Sequence, residues 1–79
     1  MMEEKLIQYI AENLVNHPEE VTVSRNEDGR SVVLELHVAQ DDMGRVIGKD
    51  GRVANAMRSL LRAVSNQNTR RQRIILEIE

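Results

Sequence analysis

Apolar and polar positions alternate along this chain in two distinct periods. Over residues 3–16 apolar side chains recur at Leu6, Ile7, Ile10, Leu14 and Val15, with Glu3, Glu4, Lys5, Gln8, Glu12 and Asn13 between them. That spacing predicts a helix of about three to four turns. Asn16-His17-Pro18 stops it, because the residue before a proline is pushed out of the helical region. From Glu20 the period falls to two. Val21 and Val23 alternate with Thr22 and Ser24, Asn26-Glu27-Asp28-Gly29 supplies turn chemistry, and Ser31 to Ala39 puts Val32, Leu34, Leu36 and Val38 on one face. A hairpin is expected. Helical spacing returns twice, in Met43, Val46 and Ile47 and then in Val53, Ala56, Met57, Leu60, Leu61 and Val64. Ser65 to Gln72 is polar and without period, hence a loop, and Arg73 to Glu79 reads as a closing strand with Ile74, Leu76 and Ile78 inward.

The order helix, strand, strand, helix, helix, strand defines an α+β fold class. Each strand has one apolar face and each helix one apolar stripe, which predicts a two-layer sandwich with the helices on one face of a three-stranded mixed sheet. The right-handed crossover rule makes the second and third strands a parallel pair beside the antiparallel hairpin.

The two later helices meet at Gly48-Lys49-Asp50-Gly51. Glycine at both ends supplies backbone freedom and lets a ligand's backbone come close. The second helix opens directly after the loop, so its free N–H groups and positive dipole end point at whatever lies over Gly51. The arrangement is an anion site in outline. Asp41 and Asp42 are suited to cap and charge the start of the helix before the loop, and the Asp50 carboxylate is expected to turn to the N-terminal amides of the helix after it.

Charge sharpens this picture. The 79 residues carry a net −2, but residues 1–44 hold three cations against ten acids and residues 45–73 hold eight cations against Asp50 alone. The glycine loop thus lies in the one basic segment, where a local positive field can steer a polyanion. Arginines on an exposed helix are often merely solvated; the adjacent loop argues for more. The single aromatic residue, Tyr9, leaves no stacking platform of the kind used by many single-strand binders. A chain this short makes a single domain, 1–79, that buries only about 60–65% of its unfolded surface, so dimerisation would help it. The absence of cysteine removes disulfides and thiolate metal sites and fits a reducing cytoplasm. The charged Met-Met-Glu-Glu-Lys start reads as neither a signal peptide nor a membrane span.

Other chemistry is poorly supplied. Gly44 to Lys49 superficially resembles a phosphate loop, yet three residues rather than four separate its glycines and Asp50 stands where Ser or Thr must reach magnesium. His17 and His37 are far apart in sequence, Asp41-Asp42 is better suited to capping than to a metal, Met57 fits a core position, and Ser65 belongs to no nucleophile arrangement. No enzyme, cofactor or metal is expected.

The run Asp42-Met43-Gly44-Arg45-Val46-Ile47-Gly48-Lys49-Asp50-Gly51-Arg52 is similar to the V-I-G-x-x-G signature of KH domains, and the element order resembles the type II, prokaryotic form. The likeness extends over nearly all of the chain and resembles the small stand-alone bacterial KH proteins of the KhpA type. The resemblance implies binding of single-stranded RNA, with a loop that clamps about four nucleotides of backbone. It assigns that role to Gly48, Lys49, Asp50 and Gly51, flanked by Arg45, Val46, Ile47 and Arg52, above a groove walled by the apolar residues of the two helices and second strand. Asp50 departs from a uniformly basic clamp and should limit affinity. The same resemblance implies a homodimer, or a heterodimer with a larger KH-containing RNA-binding protein, and a cytoplasmic RNA chaperone linked to cell elongation and envelope synthesis. The alternative is a dimerisation module of the same fold with little RNA binding of its own, docking through the helix from Arg52 to Val64.

Overall fold

The computed structural model describes residues 2–66 and 73–79. Its elements are α1 (Met2–Leu14), β1 (Thr22–Asp28), β2 (Ser31–His37), α2 (Met43–Ile47), α3 (Arg52–Asn66) and β3 (Arg73–Ile78), with short 3₁₀ turns at Pro18–Glu20, Gln40–Asp42 and Lys49–Gly51. The predicted order is therefore the observed one. The sheet runs β1-β2-β3, antiparallel between β1 and β2 and parallel between β2 and β3. Val32 pairs with Ile74 and Leu34 with Leu76, so the inward residues of the two strands lie side by side.

The core joins one face of this sheet to all three helices. Val32, Leu34 and Leu36 of β2 and Leu76 of β3 pack in one buried cluster with Ile7 and Ala11 of α1, Val46 of α2, and Met57 and Leu61 of α3. Alternate residues of a strand share a face, so burial of positions 32, 34 and 36 places the helices on a single side. On the opposite face Glu35 accepts hydrogen bonds from Asn26 (2.7 Å) and Ser24 (3.4 Å), beside the pair Val33 and Ile75. Arg25, on the inward side of β1, holds that strand to α1 through Glu4 (3.2 Å) while it also pairs with Glu27 (2.9 Å). The Glu27 hydrogen bond, against the cost of burial, raises the Arg25 pKa above its ordinary value.

Several boundaries differ from the sequence expectation, each for a local reason. The turn expected at Asn26–Gly29 is shorter, because β1 stays paired to its end, Asp28 opposite Ser31, and Gly29 and Arg30 alone make the connection. Gly29 has a φ of 60° and Arg30 keeps a negative φ, the combination for which two-residue hairpins select glycine at their first position. Backbone pairing across the hairpin thus outweighs the turn preference of Asn26 and Asp28. The second strand ends at His37 rather than Ala39, although Val38 remains buried and donates its N–H to the Glu79 carbonyl. Helix α3 continues through Ser65 and Asn66, positions read as loop, with Ser65 Oγ donating back to the Leu61 carbonyl at 2.7 Å. The remainder of that expected loop, 67–72, lies outside the described residues. The apolar stripe of α3 is narrower than its spacing suggests, since Ala54, Met57 and Leu61 are buried whereas Ala56 is exposed and Leu60 is 46% exposed.

Candidate nucleic-acid interface

The loop between α2 and α3 is built from three residues with positive φ. Helix α2 ends where the Gly48 N–H donates to the Gly44 carbonyl at 2.9 Å. Gly48 then adopts φ 77°, ψ 174°, a region open in practice only to glycine. Lys49 to Gly51 form one 3₁₀ turn, with Gly51 N–H on the Gly48 carbonyl (3.2 Å), and α3 follows at once. The connection is tight because Gly48 has no side chain. A Cβ there would lie 2.5 Å from Val53 Cγ2 and 2.9 Å from Val53 N, so the first turn of α3 sits directly against the end of α2. Gly51, at φ 77°, is required by conformation alone; its nearest neighbour would be Asn55 Nδ2 at 3.8 Å.

Asp50 is accommodated differently from the expectation. Its carboxylate makes no hydrogen bond to the α3 amides among the described residues; the residue instead takes φ 57°, ψ 25°, the left-handed region. Aspartate is one of the few non-glycine residues that visit this region routinely. The acid therefore serves the turn's backbone. Lys49, Asp50 and Arg52 are exposed at the tip, and neither Lys49 nor Arg52 is paired with a carboxylate among the described residues.

The other expected site residues divide by burial. Ile47 is 37% exposed beside the loop, but Val46 is fully buried and acts as a core anchor for α2, with no side-chain surface for a ligand. Arg45 is exposed yet held. With the Asn16 amide oriented so that its oxygen faces the guanidinium, that oxygen accepts from Arg45 Nε and Nη2 at 3.2 Å, and Arg45 Nε stands 3.9 Å from Asp42 Oδ1.

Asp42 also corrects the capping expectation. It stands at the N-cap of α2 but makes no side-chain cap bond there. Its carboxylate is fully buried and accepts the N–H groups of Asn16 (3.1 Å) and His17 (3.0 Å), two amides of the chain leaving α1. The start of the loop-bearing helix is thereby tied to the end of α1. No periodicity signals this contact, which joins residues 26 and 25 positions apart. Gly44 was equally silent. A Cβ on it would meet nothing within 4 Å, so no neighbour in the fold requires glycine in the middle of α2. A bare backbone one turn before Gly48 leaves room for close approach from outside.

An α-β-β-α-α-β sandwich with a GxxG turn between its second and third helices is a type II KH domain. Structures of the Era protein share the fold. A crystal structure of Aquifex aeolicus Era bound to GDP and aluminium fluoride superposes with a TM-score of 0.66 at 18% identity, over 98% of this chain and 29% of that one. A structure of Era with MgGDPNP and nucleotides 1506–1542 of 16S ribosomal RNA gives 0.62 at 18% identity, over 96% of this chain and 28% of that one. The chain thus spans less than a third of Era. The family described as KhpA/KhpB, KH domain matches residues 4–78, and the chain belongs to it. Curated relatives named RNA-binding protein KhpA are 49% identical in Halalkalibacterium halodurans (87% of this chain, 91% of the relative) and 45% identical in Listeria monocytogenes (90% and 93%). The relative of that name in Treponema pallidum is 49% identical over 89% of this chain and 88% of its own. Among the described residues no helix is long and apolar enough to cross a membrane.

Proposed function

We propose that residues 1–79 act as one KH domain that binds single-stranded RNA, with Gly48-Lys49-Asp50-Gly51 gripping the sugar-phosphate backbone. The observation that carries this reading is the Gly48 backbone: its glycine-only conformation and its contact with Val53 hold a tight turn at the N-terminal end of α3, with Lys49 exposed at its tip. Phosphate oxygens approaching that tip meet amide N–H groups, the helix dipole and the ammonium of Lys49. Arg52 adds a second exposed cation, and Ile47 offers an apolar contact beside the backbone path. Arg45 contributes mainly by orienting α2, since its guanidinium is engaged with Asn16. The names of the KhpA relatives support RNA as the ligand.

Lys49→Asp, which makes the loop Gly-Asp-Asp-Gly, tests the reading. With folding checked by circular dichroism, the variant is expected to lose binding to single-stranded RNA. The parent is expected to show a log–log salt slope near −2, for about three phosphates neutralised. Equal affinity in parent and variant would overturn the clamp.

Pairing belongs to the same proposal, because one short clamp is weak and linked clamps gain through effective concentration. The exposed face of α3 at Ala56, Leu60 and Ala63 is the surface available for a second copy or for a larger KH-containing protein. Light scattering at micromolar concentration is expected to show a dimer, and a purely monomeric species would count against self-association. The role that fits such a module is that of a cytoplasmic, non-catalytic RNA chaperone. The link to cell elongation and envelope synthesis rests on family resemblance and is tested by cell length and shape after deletion of the coding sequence.

A further inference from the structure

His17, Glu19 and Glu20 stand together where the chain passes from α1 to β1. Each offers one ligand atom, an imidazole nitrogen or a carboxylate oxygen, and these atoms all lie within 4.8 Å of one another. An extended chain would send the side chains of residues 19 and 20 to opposite sides. The 3₁₀ turn at Pro18–Glu20 prevents this. Pro18 stands at its start, the Glu20 N–H donates to the His17 carbonyl at 3.0 Å, and residues three apart in such a turn eclipse, which stacks Glu20 over His17. Glu19 closes the group from the side, with Oε2 at 3.6 Å from His17 Nδ1. That ion pair accounts for Glu19 but not for Glu20, whose carboxylate makes no hydrogen bond or ion pair among the described residues.

The turn is held at both ends by the rest of the fold. The His17 N–H donates to the buried Asp42 carboxylate at 3.0 Å. Val21, directly after Glu20, is buried in the core, and its carbonyl accepts from Gln8 Nε2 at 3.0 Å. A cation arriving here finds its donors on a backbone already in place, which spares the ordering cost that a flexible segment would impose. The donor set selects the cation. One imidazole nitrogen with two carboxylates suits a borderline divalent ion such as zinc, with water in the remaining position, whereas calcium and magnesium prefer oxygen alone. All three side chains are exposed, so solvent reaches the open position. Among the described residues no other three histidine or acidic side chains gather in this way.

We propose that His17, Glu19 and Glu20 form a binding site for a divalent transition-metal ion, zinc above all, which fastens the α1–β1 connection. Through the His17–Asp42 hydrogen bond the same ion braces the start of α2, where Asp42 stands. The site is separate from the glycine loop and does not depend on the RNA-binding reading.

The test titrates the full chain, without an affinity tag, with zinc in a calorimeter and follows its thermal melt with and without a chelator. The parent is expected to bind a single zinc ion per chain. With free zinc at about ten times its dissociation constant the melting midpoint should rise by about 5–10 °C, and chelation should reverse the rise. His17→Ala keeps the backbone N–H that Asp42 accepts, so it should fold without metal as the parent does and bind zinc about tenfold or more weakly. Glu20→Gln, nearly equal in shape, should weaken zinc similarly and keeps the test decisive if His17→Ala folds poorly. Absence of zinc binding by the parent overturns the proposal, and so does undiminished binding by both variants. Calcium bound as tightly as zinc overturns it as well, because the residues then act as an unselective acidic surface. Loss of binding in His37→Ala with retention in His17→Ala also overturns it, by moving the ion to the neighbouring hollow that Glu20 shares with His37 and Glu79. Zinc binding with an unchanged midpoint overturns the bracing role.

Discussion

Gly48 and Val53 are in such close contact that a single added carbon on Gly48 would stand 2.5 Å from Val53 Cγ2. Any side chain at Gly48 must therefore both leave its preferred backbone region and displace the first turn of α3. Gly48→Ala is expected to destabilise the fold by about 3 kcal/mol, combining strain with steric overlap. Urea unfolding measures it. Adding Val53→Ala should restore only part of the loss, since the backbone N of Val53 would still lie 2.9 Å away and φ would still be 77°.

Gly44 should behave in the opposite way. With open space at its Cβ position, Gly44→Ala is expected to stabilise α2 by about 0.5–1 kcal/mol through the lower entropy of its unfolded chain. If the bare backbone serves RNA approach, the same variant binds RNA several-fold more weakly. Higher stability with unchanged RNA affinity would assign Gly44 no part in the interface.

Asp50 couples charge to backbone. Asp50→Gly removes the acid from the loop tip and frees the left-handed position from a Cβ, so it is expected to raise both RNA affinity and stability, the latter by up to about 1 kcal/mol. Asp50→Val, β-branched at the same φ, should cost about 1–2 kcal/mol. Parallel fluorescence titrations and thermal melts of the two variants check the pair.

Asp42 is a buried tie, and its loss exposes what it holds. Asp42→Ala leaves the amides of Asn16 and His17 without their acceptor and is expected to cost about 2–3 kcal/mol. Amide hydrogen exchange at those two residues should quicken by more than at Ile7 in the core. Uniform acceleration throughout would instead mean global destabilisation with no local role for the tie.

Much of this architecture was legible because it depends on local spacing. The period of two in Val32, Leu34 and Leu36 identified a strand with one buried face, and the glycines at 48 and 51 marked the turn between two helices. Burial at the margins was less legible. Leu60 matches the α3 stripe by spacing, yet the sheet is covered by Met57 and Leu61 and leaves Leu60 exposed. Val46 sits within the motif as if part of a binding surface, but it is fully buried in the core cluster that joins the helices to the sheet. Spacing says which residues share a face; it does not say how wide a neighbour that face meets.

The sequence by itself determined the order of elements, the position of the glycine turn and the basic segment around it, because periodicity, glycine conformational freedom and charge are properties of neighbouring residues. Only the tertiary structure decided that the Asp42 carboxylate binds the chain leaving α1, that Gly48 is sealed against Val53, and that Arg58 and Arg62 face Arg73 across a cleft. Those relations arise where separate elements pack together, and the hydrophobic core that brings α1, α3 and β3 within reach of one another sets them.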